Sequence, residues 1–178
     1  TVFVFGGSRG ARSINYAVLD NLDELLQRYQ LIHVSGELDW PTVADRSEKL
    51  IEQYRRYYRP YAYIHERMGA AFRSADLVVA RAGASMLGEA PAFGVPSVLV
   101  PYPHAWRYQK VNADYLAERG AALRLDDERL ATQFLRTIRS LMDDEATLSA
   151  MGAAAKKLDE PHAAQKLAQL LRQLAERG

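Results

Sequence analysis

Six short apolar runs, at residues 2–5, 31–34, 61–64, 77–80, 98–100 and 121–125, are each followed by a stretch whose apolar residues recur three or four apart. That alternation constrains the fold more than any composition figure. A wholly apolar, β-branched and aromatic run such as Val-Phe-Val-Phe reads as a strand buried on both faces, as parallel strands are. Parallel strands need crossover connections, and a helix is the usual one. Helical spacing covers 11–28, 41–57, 66–74, 84–93, 108–119 and 127–142, and two more helices, at 144–156 and 161–177, follow with no strand between them. The pattern predicts an α/β fold, a three-layer sandwich with a mostly parallel six-stranded sheet at its centre. At 178 residues the chain is long enough for a single domain with a substantial core.

Several function classes lose support at this level. Lys plus Arg number 23 against 22 for Asp plus Glu, so a net charge of +1 offers no electrostatic case for nucleic acid. The stretch EKLIEQYRRYYRPY is rich in tyrosine and arginine, but its spacing suits a surface helix with snorkelling stems better than a base-stacking platform. No apolar run approaches the roughly 20 residues that span a bilayer, and the first residues carry no signal-peptide pattern. With no cysteine there is no disulfide or thiolate chemistry, which fits a reducing cytoplasm. His33, His65, His104 and His162 are scattered, none at metal-ligand spacing, and no Asp-x-Asp pair is present to hold a metal-bound diphosphate. Thr1 opens directly on a core strand without a methionine or lead-in, as a domain cut from a longer protein would.

Two strand-to-helix turns carry the chemistry. After the first strand comes Gly6-Gly7-Ser8-Arg9-Gly10, and after the fourth comes Arg81-Ala82-Gly83-Ala84-Ser85. Glycine lets a backbone approach a ligand closely, and a helix N-terminus offers free N–H groups to an anion. Two such termini facing one crevice would suit a diphosphate, although a tight ligand-free turn has the same composition. The first turn matches neither the Walker pattern nor the three-glycine dinucleotide fingerprint. Ser8 does stand in a Gly-x-Ser-x-Gly frame, but His162 is the only late histidine that could serve a hydrolase triad. Glu89, near one turn into the helix after the second glycine turn, could take both hydroxyls of a ribose, but the spacing alone favours a solvent-facing glutamate. Pro101-Tyr102-Pro103-His104 forms a rigid extended loop, followed by Gln109 and Asn112 on one helical face. Their amides both donate and accept, as sugar hydroxyls require, and ordinary helix-surface polarity explains them too.

Taken together, Gly6-Gly7-Ser8-x-Gly10-Ala11, Arg81-Ala82-Gly83-Ala84-Ser85 with Glu89, Ala92-Phe93-Gly94-Val95-Pro96, and Val100-Pro101-Tyr102-Pro103-His104 with Gln109 and Asn112-Ala113 resemble the MurG family. These are the bacterial N-acetylglucosaminyltransferases that make lipid II from lipid I in peptidoglycan synthesis. The resemblance covers essentially this whole chain and only the C-terminal half of the family's enzymes. It implies the Rossmann-like, donor-binding C-terminal half of a GT-B glycosyltransferase, with UDP-N-acetylglucosamine (UDP-GlcNAc) as ligand and with neither metal nor cofactor. Residues 1–178 would form the single UDP-sugar-binding domain. The catalytic base, the lipid-linked muramyl-peptide acceptor and any membrane contact would belong to an N-terminal domain absent from this chain. The implied location is the cytoplasm, at the inner face of the bacterial cell membrane.

The same resemblance implies roles for individual residues. Gly6, Gly7 and Ser8 lie against the donor. Tyr63 and Ile64, at the end of the third strand, read uracil through their backbone, with Met68 close by. Gly83, Ala84 and Ser85 cover the phosphates and sugar, Glu89 takes the ribose, and Gln109 and Asn112 stand near the GlcNAc hydroxyls. The chain departs from the family pattern at Arg9, where glutamine is usual, at Met86, where threonine is usual, and at Arg107-Tyr108-Gln109, where Asp-His-Gln is commoner. Pro91 falls inside the helix that carries Glu89 and is expected to remove a hydrogen bond and kink it. Other readings on the same architecture are a glycosyltransferase with another lipid acceptor such as diacylglycerol, a UDP-GlcNAc 2-epimerase, and a non-catalytic nucleotide-sugar binding module.

Overall fold

The computed structural model of the chain describes residues 1–7, 9–105 and 108–176. Six strands, β1 (Val2–Phe5), β2 (Leu31–Val34), β3 (Tyr58–Tyr61), β4 (Leu77–Arg81), β5 (Ser97–Val100) and β6 (Ala122–Arg124), form one sheet in the order β3-β2-β1-β4-β5-β6. All five neighbouring pairs are parallel. This is the Rossmann-like order, in which the chain winds outward from β1 in one direction, returns to β4 beside it and winds out in the other. The switch between β1 and β4 opens a crevice at their carboxyl ends, and both glycine turns border it.

Alternate residues of the central strands feed two separate cores. Val2, Val4, Leu77, Val79, Val98 and Val100 point to the face covered by α1 (Arg12–Asp20), α2 (Leu22–Leu26), α3 (Trp40–Glu48) and α8 (Leu130–Met142). Phe3, Phe5, Val78, Ala80 and Leu99 point to the face covered by α5 (Met68–Ser74), α6 (Met86–Phe93) and α7 (Tyr108–Glu118). Phe3 and Phe5 stack at 4.8 Å, and Phe72 meets both edge-on at 5.4 and 5.7 Å. Both faces of β1, β4 and β5 are buried, which accounts for their unbroken apolar runs. Among the described residues no helix is long and apolar enough to cross a membrane.

The structure corrects the element boundaries at three places. The third strand runs over Tyr58–Tyr61 instead of 61–64, so Tyr63 and Ile64 lie beyond it, in the approach to a 3₁₀ turn at His65–Arg67. Pro60 sits inside that strand because β3 is at the sheet edge. Leu31 and Ser35 N–H donate to Tyr57 and Tyr61 carbonyls, so the odd-numbered residues face β2, while Pro60 turns its missing N–H outward. The helix expected over 11–28 is broken at Asn21, whose Nδ2 donates to the Ala17 carbonyl at 2.8 Å. The break re-aims the chain so that Leu22, Leu25 and Leu26 are all buried. The helix expected over 41–57 likewise divides into α3 and the single turn α4 (Glu52–Arg55), with Leu50 buried between them. Pro91 does lie within α6. The chain ends in α9 (Glu145–Lys156) and α10 (Ala163–Ala175), and α10 buries none of its residues.

Candidate functional site

A cleft of about 930 Å³ occupies the switch point. Its walls are the β1–α1 turn, the β4–α6 turn and the loop after β5. Of the residues singled out in the sequence, Gly6, Gly7, Gly83, Ser85 and Gln109 line it. Ser8 lies outside the described residues. Ala84 is exposed in the same turn as Gly83, its carbonyl accepting the Leu87 N–H at 3.1 Å. Met86, where the family has threonine, is buried and still borders the cleft.

The two helix N-termini at the cleft are not equivalent. In α1 the N-cap is Ala11, which has no side chain able to cap, and the Arg12, Ser13 and Ile14 N–H groups make no hydrogen bond among the described residues. They remain available to an acceptor in the cleft. In α6 the Met86, Leu87 and Gly88 N–H groups already bond to the Gly83, Ala84 and Ser85 carbonyls at 3.0 to 3.1 Å. The second turn therefore contributes a shaped wall more than a set of free donors.

Glu89 is the most informative side chain. One turn along α6 from Ser85, its Oε2 is buried and has no hydrogen-bond partner among the described residues. A carboxylate oxygen withdrawn from water without a donor is costly, and such groups mark places where a ligand supplies the missing hydrogen bonds. The two amides of α7 are partly engaged. Gln109 Oε1 accepts the Tyr102 N–H at 2.9 Å, and Asn112 Nδ2 donates to the Ala82 carbonyl at 3.0 Å. Asn112 thus fastens the second turn from behind, while Gln109 Nε2 and Asn112 Oδ1 have no partner among the described residues.

Tyr63, Ile64, Met68, Ala84, Glu89 and Asn112 are not among the residues that line the cleft. Tyr63 is exposed and packs edge-on against His65 at 4.6 Å; Ile64 is buried and Met68 half-buried against the second core. The Ile64 carbonyl accepts the Arg67 N–H, whereas no hydrogen bond to the Ile64 N–H forms among the described residues.

Sequence reasoning missed a charged cluster at the back of the cleft. Arg81, at the end of β4, pairs with Asp127 and donates to Ser13 Oγ at 2.7 Å, and Ser13 in turn donates to Asp127 at 2.7 Å. The guanidinium also lies 5.2 Å from the centre of the Tyr102 ring. One arginine therefore ties together β4, the start of α1, the β5 loop and the turn before α8. The partners are 46 and 68 residues distant, and no local pattern signals them. Arg12 Nε pairs with Asp39 at 3.1 Å on the opposite wall, while Arg9 is exposed with no such partner among the described residues. No group of three His, Asp or Glu side chains able to hold a metal ion occurs among the described residues.

Comparison with known proteins agrees with this geometry. The chain is 43% identical over 177 residues to the UDP-N-acetylglucosamine--N-acetylmuramyl-(pentapeptide) pyrophosphoryl-undecaprenol N-acetylglucosamine transferase of Chlorobium limicola, covering 98% of this chain and 47% of that protein. The crystal structure of Acinetobacter baumannii MurG superimposes with a TM-score of 0.82 at 25% identity, over 97% of this chain and 49% of the other. A UDP-N-acetylglucosamine 2-epimerase shares the fold at a TM-score of 0.58 and 14% identity, over 98% of this chain and 43% of that one. The chain spans about half the length of the curated relatives it matches. The profile of the glycosyltransferase family 28 C-terminal domain matches residues 1–167, and the chain belongs to that family.

Proposed function

We propose that this chain is the donor-binding half of a metal-independent, inverting glycosyltransferase that moves GlcNAc from UDP-GlcNAc to the C4 hydroxyl of lipid I, giving lipid II. The observation that carries this reading is Glu89 Oε2, buried and without a partner among the described residues, one turn along α6 from the Ser85 that borders the cleft; Glu89 itself is not one of the cleft's lining residues. A ribose offers two adjacent hydroxyl donors to such a carboxylate, and the charge makes both bonds strong. The free N–H groups of α1 favour the diphosphate and, in the transition state, the charge that develops on departing UDP. Gly6, Gly7, Ser8, Gly83, Ala84 and Ser85 frame the phosphates and the sugar. The unused Ile64 N–H supports the reading of uracil by the Tyr63–Ile64 backbone with Met68 alongside, and the free polar atoms of Gln109 and Asn112 support contact with GlcNAc hydroxyls.

In the reaction the acceptor oxygen attacks the anomeric carbon opposite the diphosphate. The bond from that carbon to the β-phosphate oxygen breaks with its electron pair going to UDP. The hydroxyl proton passes to a base outside this chain, in the acceptor-binding N-terminal domain, which also makes the membrane contact at the inner face of the cell membrane. Residues 1–178 alone bind donor and transfer nothing. Calorimetric titration with UDP and with its 2′,3′-dideoxy analogue tests the assignment. The expected result is UDP binding at least about tenfold tighter than the analogue, unchanged by excess chelator. Equal affinity for the two would overturn the ribose role of Glu89, and no binding of either would overturn the donor reading.

A further inference from the structure

Behind the β1–α1 turn runs a line of buried polar groups for which donor binding has no direct use. His33 projects from β2, fully buried, with Nδ1 2.8 Å from Tyr58 Oη and Nε2 3.0 Å from Asn15 Oδ1. Asn15 is also buried, and its Nδ2 donates to the Ser35 carbonyl and to Asp39 Oδ2, both at 2.8 Å. Asp39, paired with Arg12, is a carboxylate and can only accept, as can the carbonyl. The Asn15 amide is therefore fixed with Oδ1 toward the imidazole. It follows that His33 donates from Nε2 and accepts the Tyr58 hydroxyl proton at Nδ1. The donors all point one way, from β3 at the sheet edge to Asp39 at the cleft wall.

This line holds two loops in backbone contact. Gly10 and Gly36 both have positive φ, +76° and +78°, and lie back to back: a Cβ on Gly10 would stand 2.1 Å from the Ser35 oxygen. The carbonyl gripped by Asn15 is the one on which Gly10 rests. We propose that Asn15 is a positioning residue for the nucleotide-sugar site, setting the β1–α1 turn through Ser35 and Asp39 while His33 and Tyr58 lock its amide orientation. The inference rests on the donor-binding reading for its functional meaning and on the loop contact for its structural one.

Two readouts keep these apart. The Gly10 N–H bonds to the Gly7 carbonyl at 3.0 Å and the Gly36 N–H to Ala62 at 3.1 Å, so amide hydrogen exchange reports the turn without any ligand. Asn15→Asp keeps the size but sets two acceptors against Ser35 and Asp39. Exchange at Gly10 and Gly36 should rise about tenfold or more while Val98 and Leu99 in β5 are unchanged, and UDP should bind about tenfold more weakly. The double variant Asn15→Asp/Asp39→Asn restores a donor to that contact and should recover part of both losses. Unaltered exchange in Asn15→Asp would overturn the proposal, as would altered exchange with unaltered UDP affinity. If Asn15→Asp fails to fold, Tyr58→Phe, which deletes one hydroxyl at the far end of the line, decides the matter. It should raise exchange at Gly10 a few-fold, and imidazole nitrogen shifts should show the Nε2–H tautomer in the unsubstituted chain; an Nδ1–H tautomer there would refute the assignment. If the unsubstituted chain binds no UDP, the donor reading falls and Asn15 is no positioning residue for that site, whereas the exchange result still decides whether Asn15 holds the turn.

Discussion

The turn after β1 and the turn after β4 leave neighbouring strands, border one cleft and share a composition of small residues, yet they are held by opposite means. The first is clamped by backbone contact: Gly10 abuts Ser35 and Gly36, Asn15 grips Ser35, and the first N–H groups of the helix that follows make no hydrogen bond among the described residues. The second has its N–H groups tied locally, is pinned from behind by Asn112, and leaves open space around Gly83. Small residues therefore mark a turn, but whether they serve packing or access is decided by loops far away in sequence. The first turn is braced from behind by the loop after β2; the second is a wall of small residues one helical turn from Glu89 Oε2.

The largest expected effect breaks the first turn. Gly10→Ala puts a methyl group 2.1 Å from a backbone oxygen at a residue with φ of +76°, where neither loop can yield cheaply. Stability should fall by about 3 to 5 kcal/mol in chemical denaturation. Acid should strike the same place. Burial lowers the His33 pKa from 6.5 to about 4, Asp39 opposing weakly, so the folded state holds the ring neutral where the unfolded chain protonates it. The contribution is fully present above pH 6.5, is lost as pH falls toward 4, and levels off below that, for a total of about 3 kcal/mol. Denaturation midpoints for the unsubstituted chain and for His33→Gln should differ in slope between pH 6.5 and 4, with the steeper loss in the former.

The unequal legibility of the two turns follows from the same physics. β1 and β2 fall where their apolar runs predict, because a strand buried on both faces writes a continuous signal. The third apolar run places β3 three residues too late, because an edge strand tolerates Pro60 and an exposed arginine that read as loop. Spacing alone does not single out Glu89 from a solvent-facing glutamate; the resemblance names it, and the buried Oε2 is seen only in three dimensions. The clamp was not legible either: Asn15 reads as one more helix residue and His33 as an oddity in a strand, and only the alignment of parallel β2 and β3, with α1 laid across them, brings Asn15, His33 and Tyr58 together. Arg81 was legible as part of a motif, but its partners Ser13 and Asp127 come from other crossovers.

At the second turn the effect should appear in binding instead of folding. Glu89→Ala removes a side chain whose buried Oε2 has no hydrogen-bond partner among the described residues, so stability should not fall. Affinity for UDP should drop by about 1.5 to 3 kcal/mol, roughly 10- to 150-fold, and the variant should no longer distinguish UDP from its dideoxy analogue. A stability loss as large as that of Gly10→Ala would mean that Glu89 belongs to the scaffold and that the contrast between the turns is false.

The smallest effect sharpens the contrast most, because its two readouts should move in opposite directions. An added Cβ at Gly83 meets no atom within 4 Å, and the residue does not occupy the positive-φ region. Gly83→Ala therefore fits the folded backbone and mainly removes freedom from the unfolded chain, which should raise stability by about 0.4 to 1 kcal/mol. The same methyl group projects from a turn that borders the cleft. If phosphate or sugar approaches that backbone as closely as proposed, the methyl group should weaken UDP-GlcNAc binding by a few-fold, about 0.5 to 1 kcal/mol. A more stable chain that binds more weakly identifies a glycine kept for access. A more stable chain with unchanged affinity would place the donor away from this wall, leaving the free N–H groups of the first turn as the principal hold on the diphosphate.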